Sequence, residues 1–119
     1  METTHWALSI PEDEVLSLVV CLGIGTLYAI REGILPPKTG IWTLGRPNLW
    51  GPLDEHPGIP QSVLDVLSQC DELSAISQLL PDRLQPKINE LIEQLVAALD
   101  DPDDVGWTAK WRVSQERDD

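Results

Sequence analysis

The run Asp100-Asp101-Pro102-Asp103-Asp104 is the densest set of potential ligand groups in this chain, and its carboxylates point either to a calcium loop or to a charged recognition surface. A calcium loop needs oxygen donors at alternate positions, a glycine at the sixth and a bidentate glutamate at the last. Counted from Asp101, Asp103 and Gly106 fall correctly, but Val105 stands where an oxygen donor is needed and Arg112 where the glutamate is needed. His5 and His56 belong to no cluster with the spacing of metal ligands, and Cys21 and Cys70 lie far apart. His56 follows Asp54 and Glu55, but no nucleophile with a supporting elbow lies near it in sequence. The pair Asp71-Glu72 reads as a helix cap and not as a glycosidase dyad. Gly23 and Gly25 lack the third glycine of a dinucleotide loop, since Tyr28 stands in its place. The sequence therefore predicts no enzyme, no metal and no cofactor.

What remains is charge. Twenty acidic residues against eight basic ones give a formal net charge of −12 over 119 residues. Long-range electrostatics then disfavours nucleic acid and anionic membrane as partners and favours a basic protein. The surplus grows along the chain, with seven acids and three bases up to residue 60 and thirteen and five beyond it. The expected partner-binding residues are Asp54, Glu55, Asp71, Glu72, Asp100, Asp101, Asp103 and Asp104, with Trp50 as an apolar anchor. Two widely spaced cysteines and the lack of a secretory pattern place the chain in a reducing cytoplasm.

The elements that must position these groups are mostly helical. The length suits a single domain, residues 1–119, that buries roughly two-thirds of its unfolded surface. Val15 to Ile30 is free of charge but shorter than the about 20 residues of a membrane span, so a buried central helix is predicted. Pro11 and the acids Glu12 to Glu14 mark its start, and Arg31 with Gly33 its end. Gly23 and Gly25 are expected to admit a neighbouring helix closely.

From 34 to 60 proline and glycine recur too often for long helices, leaving short turns around 38–44 and 49–55. Val63, Leu64, Val66, Leu67 and Cys70 repeat at helical spacing behind Pro60. Asp71 then reads as the N-cap of a helix carrying Leu73, Ile76, Leu79 and Leu80, stopped by Pro81. Ile88, Leu91, Ile92, Leu95, Val96 and Leu99 line one face of a last helix over 86–99. Segments 5–10 and 107–113 alternate, and a short β pairing of the two termini is expected around the acidic segment 100–119. Most tryptophans are expected in the core, with one of Trp42 and Trp50 exposed. The fold class is mainly α, a compact irregular bundle of four to six helices with a short terminal two-stranded pairing.

Leu22-Gly23-Ile24-Gly25 in the first helix, Cys70-Asp71-Glu72-Leu73-Ser74-Ala75-Ile76 and Leu80-Pro81-Asp82-Arg83-Leu84 before the last helix resemble, over about 14–99, a family of small bacterial proteins of unknown function. The resemblance implies a helical fold and a bacterial origin and carries over no active-site residue. From charge, the expected function is a small acidic binding protein, an immunity or antitoxin-like inhibitor of a basic, nuclease-type toxin. The alternative is a structural or regulatory subunit whose apolar faces close a homodimer or a larger complex.

Overall fold

Pro11, with φ fixed near −58°, starts a 3-10 turn over Glu12–Glu14 that leads directly into helix α1, Val15–Arg31. The three acids sit at the positive end of the helix dipole and Arg31 at its negative end. Beyond Arg31 the chain breaks at Gly33, whose φ is +74°, with the Gly33 N–H donating to the Ile30 carbonyl at 3.1 Å. The computed structural model describes residues 2–117. Asp118 and Asp119 of the acidic segment fall outside them.

Four short elements follow: α2 (Thr39–Trp42), α3 (Pro47–Trp50), a 3-10 turn at Pro52–Glu55, and α4 (Gln61–Gln69). A 3-10 turn at Cys70–Glu72 joins α4 to α5 (Leu73–Leu79), and another at Pro81–Arg83 leads into α6, Leu84–Ala97. The predicted stop at Pro81 holds. Asp71 is not an N-cap: it lies inside the 3-10 turn, and no side chain caps α5. The reason is that α4 and α5 continue into each other through the 3-10 turn, so no extended residue is available to turn a carboxylate back on free N–H groups.

The core is aliphatic. Val20, Leu27 and Ile30 of α1 meet Val63, Val66 and Leu67 of α4, Leu73 of α5, and Ile88, Leu91 and Leu95 of α6, with Leu44, Ile59 and Cys70 closing the gaps. Helices α1 and α6 run antiparallel, since Gly23 faces Leu95 and the Arg31 Nη1 donates to Asn89 Oδ1 at 3.0 Å. A Cβ on Gly23 would lie 2.7 Å from the Leu95 Cδ1, so this glycine does admit a neighbouring helix. Gly25 does not, because open space surrounds it. Nor is α1 buried all round: Leu22 and Tyr28 are about half exposed on the side away from α6. With its 3-10 lead-in the helix is 20 residues long, enough by length and composition to cross a membrane, and its inner face is docked on α6. Leu79 and Leu80 are exposed, because α5 ends within two turns of Leu73, its one buried residue.

The two ends of the chain form an antiparallel ribbon, β1 (Glu2–Ser9) with β2 (Lys110–Arg117). The ribbon is longer than the predicted pairing and starts three residues after Trp107. Trp6 stands opposite Val113 and Leu8 opposite Trp111. Neither strand packs substantially on the helices. The radius of gyration, 15.5 Å, exceeds the roughly 13.5 Å expected for a compact chain of this length, and the long axis reaches 44 Å. This projection also explains the exposure of two of the tryptophans, Trp6 and Trp111. Trp6, Trp42, Trp107 and Trp111 are exposed, and Trp50 alone packs partly against the core. Trp6 and Trp111 lie on the ribbon, away from the core. The ring of Trp42 lies under the Arg46 guanidinium, 5.2 Å from its centre.

Candidate functional site

Because α6 runs back along α1, its end and the acidic segment behind it arrive beside the start of α1. Glu14 is held there by Thr108, whose backbone N–H donates to both carboxylate oxygens at 3.1 and 3.2 Å and whose hydroxyl donates at 3.0 Å. A cleft of about 460 Å³ opens at this junction, lined by Asp13, Glu14, Ser17, Asp104, Gly106, Trp107 and Thr108. The aspartates behind α6 form their own turn, in which Asp101 Oδ1 accepts from the Asp103 N–H at 3.0 Å. Pro102, which cannot donate a backbone hydrogen bond, opens a separate 3-10 turn over Pro102–Asp104 beyond the end of α6.

His56 ties a third acidic segment to the same end. The Gly58 N–H donates to its Nδ1 at 2.9 Å, which leaves Nε2 as the protonated nitrogen, and Nε2–H donates to the Glu12 carbonyl at 2.8 Å. The turn Pro52–Glu55 precedes His56 directly. Asp54 and Glu55 are thereby placed with Glu12, Asp13, Glu14, Asp100, Asp101, Asp103 and Asp104, nine of the chain's twenty acids at one end.

Two features raise the negative potential there. The C-terminal end of the α6 dipole adds partial negative charge next to Asp100. None of the nine acids takes part in an ion pair among the described residues, where Arg31 pairs with Glu32 at 3.1 Å and Lys87 with Glu90 at 3.7 Å. The carboxylates do not converge on a point: among the described residues no group of three His, Cys, Asp or Glu side chains is arranged to hold a metal ion.

Two expected site residues are placed elsewhere, and a third has another role. Asp71 and Glu72 follow α4, whose last residue Gln69 accepts from the Lys87 Nζ at 2.7 Å near the start of α6. They therefore lie about 20 Å away, the length of α6 at ~1.5 Å per residue. Glu72 there shares a cleft of about 580 Å³ with Arg83 and Lys87, so its charge is offset. Trp50 is no free anchor: it is half-buried, packs against the core, and donates its indole N–H to the Gly45 carbonyl at 3.2 Å. Beside Asp71, burial pushes the Cys70 thiol up to about 12, with the neighbouring carboxylate adding to the effect. Both cysteines are free.

Sequence reasoning missed Glu12, Asp13, Glu14 and Trp107 as site residues. The acids had a sufficient local explanation in the helix dipole. The signal that could have found them is the pairing of an acidic helix start with an acidic stretch behind a later antiparallel helix.

Residues 11–113 match a family model described as "Protein of unknown function (DUF3969)", and the chain belongs to that family. The match spans the helical body and the first half of β2. No curated protein and no solved structure matches the chain.

Proposed function

We propose that this family member is a protein-binding module that covers the basic, phosphate-binding cleft of a partner with its acidic end, in the manner of an immunity or antitoxin-like inhibitor of a nuclease-type toxin. The observation that carries the reading is the gathering of nine carboxylates, none in an ion pair among the described residues, at the end shared by the start of α1 and the close of α6.

A cleft built to hold phosphates repels other cations and attracts such a surface from a distance, which raises the association rate. The cleft between Asp13, Glu14 and Asp104, with Trp107 on its wall, fits one lysine or arginine side chain of that partner. The carboxylates neutralise its charge, and the indole face adds a cation–π contact. The same charge keeps the protein off nucleic acid and anionic lipid, and two free thiols suit a cytoplasmic setting.

The test is to capture partners from native host cells on the immobilised protein, and to assay nuclease activity in the captured fraction with and without added protein. The expected result is a basic nuclease that the wild-type chain inhibits and that a D100N/D101N/D103N/D104N variant inhibits far less. Recovery of no basic partner, or equal inhibition by that variant, overturns the reading.

A further inference from the structure

A second cleft adjoins the acidic one. It opens at the base of the terminal ribbon, where the last pair is Ser9 with Lys110 and the pairing stops. Ile10 and Pro11 form one wall, Trp107, Thr108 and Ala109 the other, and the volume is about 800 Å³. Trp107 and Thr108 also line the cleft of Asp13, Glu14 and Asp104, and the Trp107 side chain is 41% exposed. The two clefts are neighbouring compartments of one groove, and the clasp of Thr108 on Glu14 holds their shared wall in place.

Their chemistry differs. Three carboxylates line the first compartment. Among the described residues that line the second there is no acid, and Lys110 is the charged residue. Ile10, Pro11, Ala109 and the indole offer it an apolar wall, while the Lys110 ammonium repels a second cation. A run of lysines is therefore matched in one compartment and opposed in the other. A segment with a cation at one position and an aliphatic group at the next is matched in both.

We propose that the groove recognises a two-residue element of the basic partner: a lysine or arginine in the acidic compartment and an aliphatic side chain, one or two residues away, in the apolar one. The spacing comes from the shared wall. Residues 106–108 border the first compartment and 107–110 the second, so the two are offset by one or two residues of chain, and a partner segment laid along that wall carries the same offset. The cation supplies attraction from a distance, which salt screens; burial of the aliphatic group supplies affinity that salt leaves intact. The proposal rests on the reading of the acidic end as a site for a basic partner, and it adds a selection among basic segments that net charge alone does not make.

The test is a titration of the full chain, followed by NMR at the Trp107 indole N–H and the Ile10 amide, with four blocked peptides: acetyl-Gly-Lys-Leu-Gly-amide, acetyl-Gly-Lys-Gly-Leu-Gly-amide, and each of these with serine in place of leucine. Charge is equal within each pair, so the comparison reads the apolar compartment alone. The better leucine peptide is expected to bind about tenfold more tightly than its serine counterpart and to move both resonances. Ala109→Glu, made at an exposed position, should abolish the leucine preference with the helical circular dichroism intact. Asp104→Asn should weaken leucine and serine peptides alike. Equal binding of leucine and serine peptides to the wild-type chain, a leucine preference that Ala109→Glu leaves in place, or no binding of any peptide overturns the proposal. Equal binding that Asp104→Asn still weakens does so while the acidic end keeps its role; peptide binding indifferent to Asp104→Asn counts against both.

Discussion

Glu14 and Thr108, 94 residues apart in sequence, are joined by three hydrogen bonds from one backbone N–H and one hydroxyl to one carboxylate. This clasp fixes the connection between the acidic segment and β2 onto the start of α1. It spends part of the charge of Glu14 on structure, while Asp13 and Asp104, which line the same cleft, have no such donor among the described residues.

Glu14→Ala removes all three bonds. Both partners are exposed, so the stability loss should be only about 1 kcal/mol. The sharper readout is amide hydrogen exchange: the Thr108 N–H should exchange much faster in the variant, while the core amides of α4 and α6 stay protected. Unchanged protection at Thr108 would show that the clasp does not form in solution.

Two glycine substitutions should move stability in opposite directions. A Cβ on Gly40 would collide with the Cys70 carbonyl oxygen, a backbone atom that cannot rotate away, so Gly40→Ala should cost about 1–3 kcal/mol. Gly25 sits mid-helix with open space around it, so Gly25→Ala should gain up to about 1 kcal/mol. Thermal melts of the two variants check this, and a destabilised Gly25→Ala would contradict the placement of that face in solvent.

Cys70 is buried and donates from Sγ to the Val66 carbonyl at 3.3 Å. Its thiol is raised from 9.0 to about 12 in the fold. A group raised in the folded state keeps its full contribution below the unfolded value and loses it as pH climbs toward the folded one. Stability should therefore fall as pH rises from about 9 toward about 12, and Cys70→Ser or Cys70→Ala should flatten that slope. Under native conditions at neutral pH an alkylating agent should leave Cys70 unmodified until the chain unfolds. Rapid native labelling of Cys70 by mass spectrometry would contradict its burial.

The neutral His56 ring should carry its proton on Nε2, since Gly58 can only donate to Nδ1. Nitrogen-15 shifts of the imidazole read the tautomer directly. An Nδ1–H tautomer would break the link to Glu12 and detach Asp54 and Glu55 from the acidic end.

The elements that could be read from sequence are those whose evidence is local. Ile88, Leu91 and Leu95 announced α6 by period, Val63, Val66 and Leu67 announced α4, and Pro11 and Gly33 bracketed α1. The alternation around Trp6 and Trp111 was enough to foresee the terminal pairing. What could not be read depends on contacts distant in sequence. Of two glycines with the same local meaning, only Gly23 meets Leu95. The acidic end exists because α1 and α6 are antiparallel, so Glu12 to Glu14 joined it unforeseen, while Asp71 and Glu72 were carried to the opposite end. The exposure of Trp6 and Trp111 follows from the ribbon standing clear of the helices, which alternation in two strands does not encode.

If the carboxylates at the α1–α6 end recognise a basic partner, the association rate constant of the captured partner, measured across ionic strengths for D100N/D101N/D103N/D104N beside D71N/E72Q, separates that end from the opposite one. The wild-type rate should fall steeply with salt. The first variant should lose at least about tenfold at low salt and much of the slope, and the second should stay within about twofold of wild type. Equal losses in both variants, or a rate indifferent to salt, would contradict it.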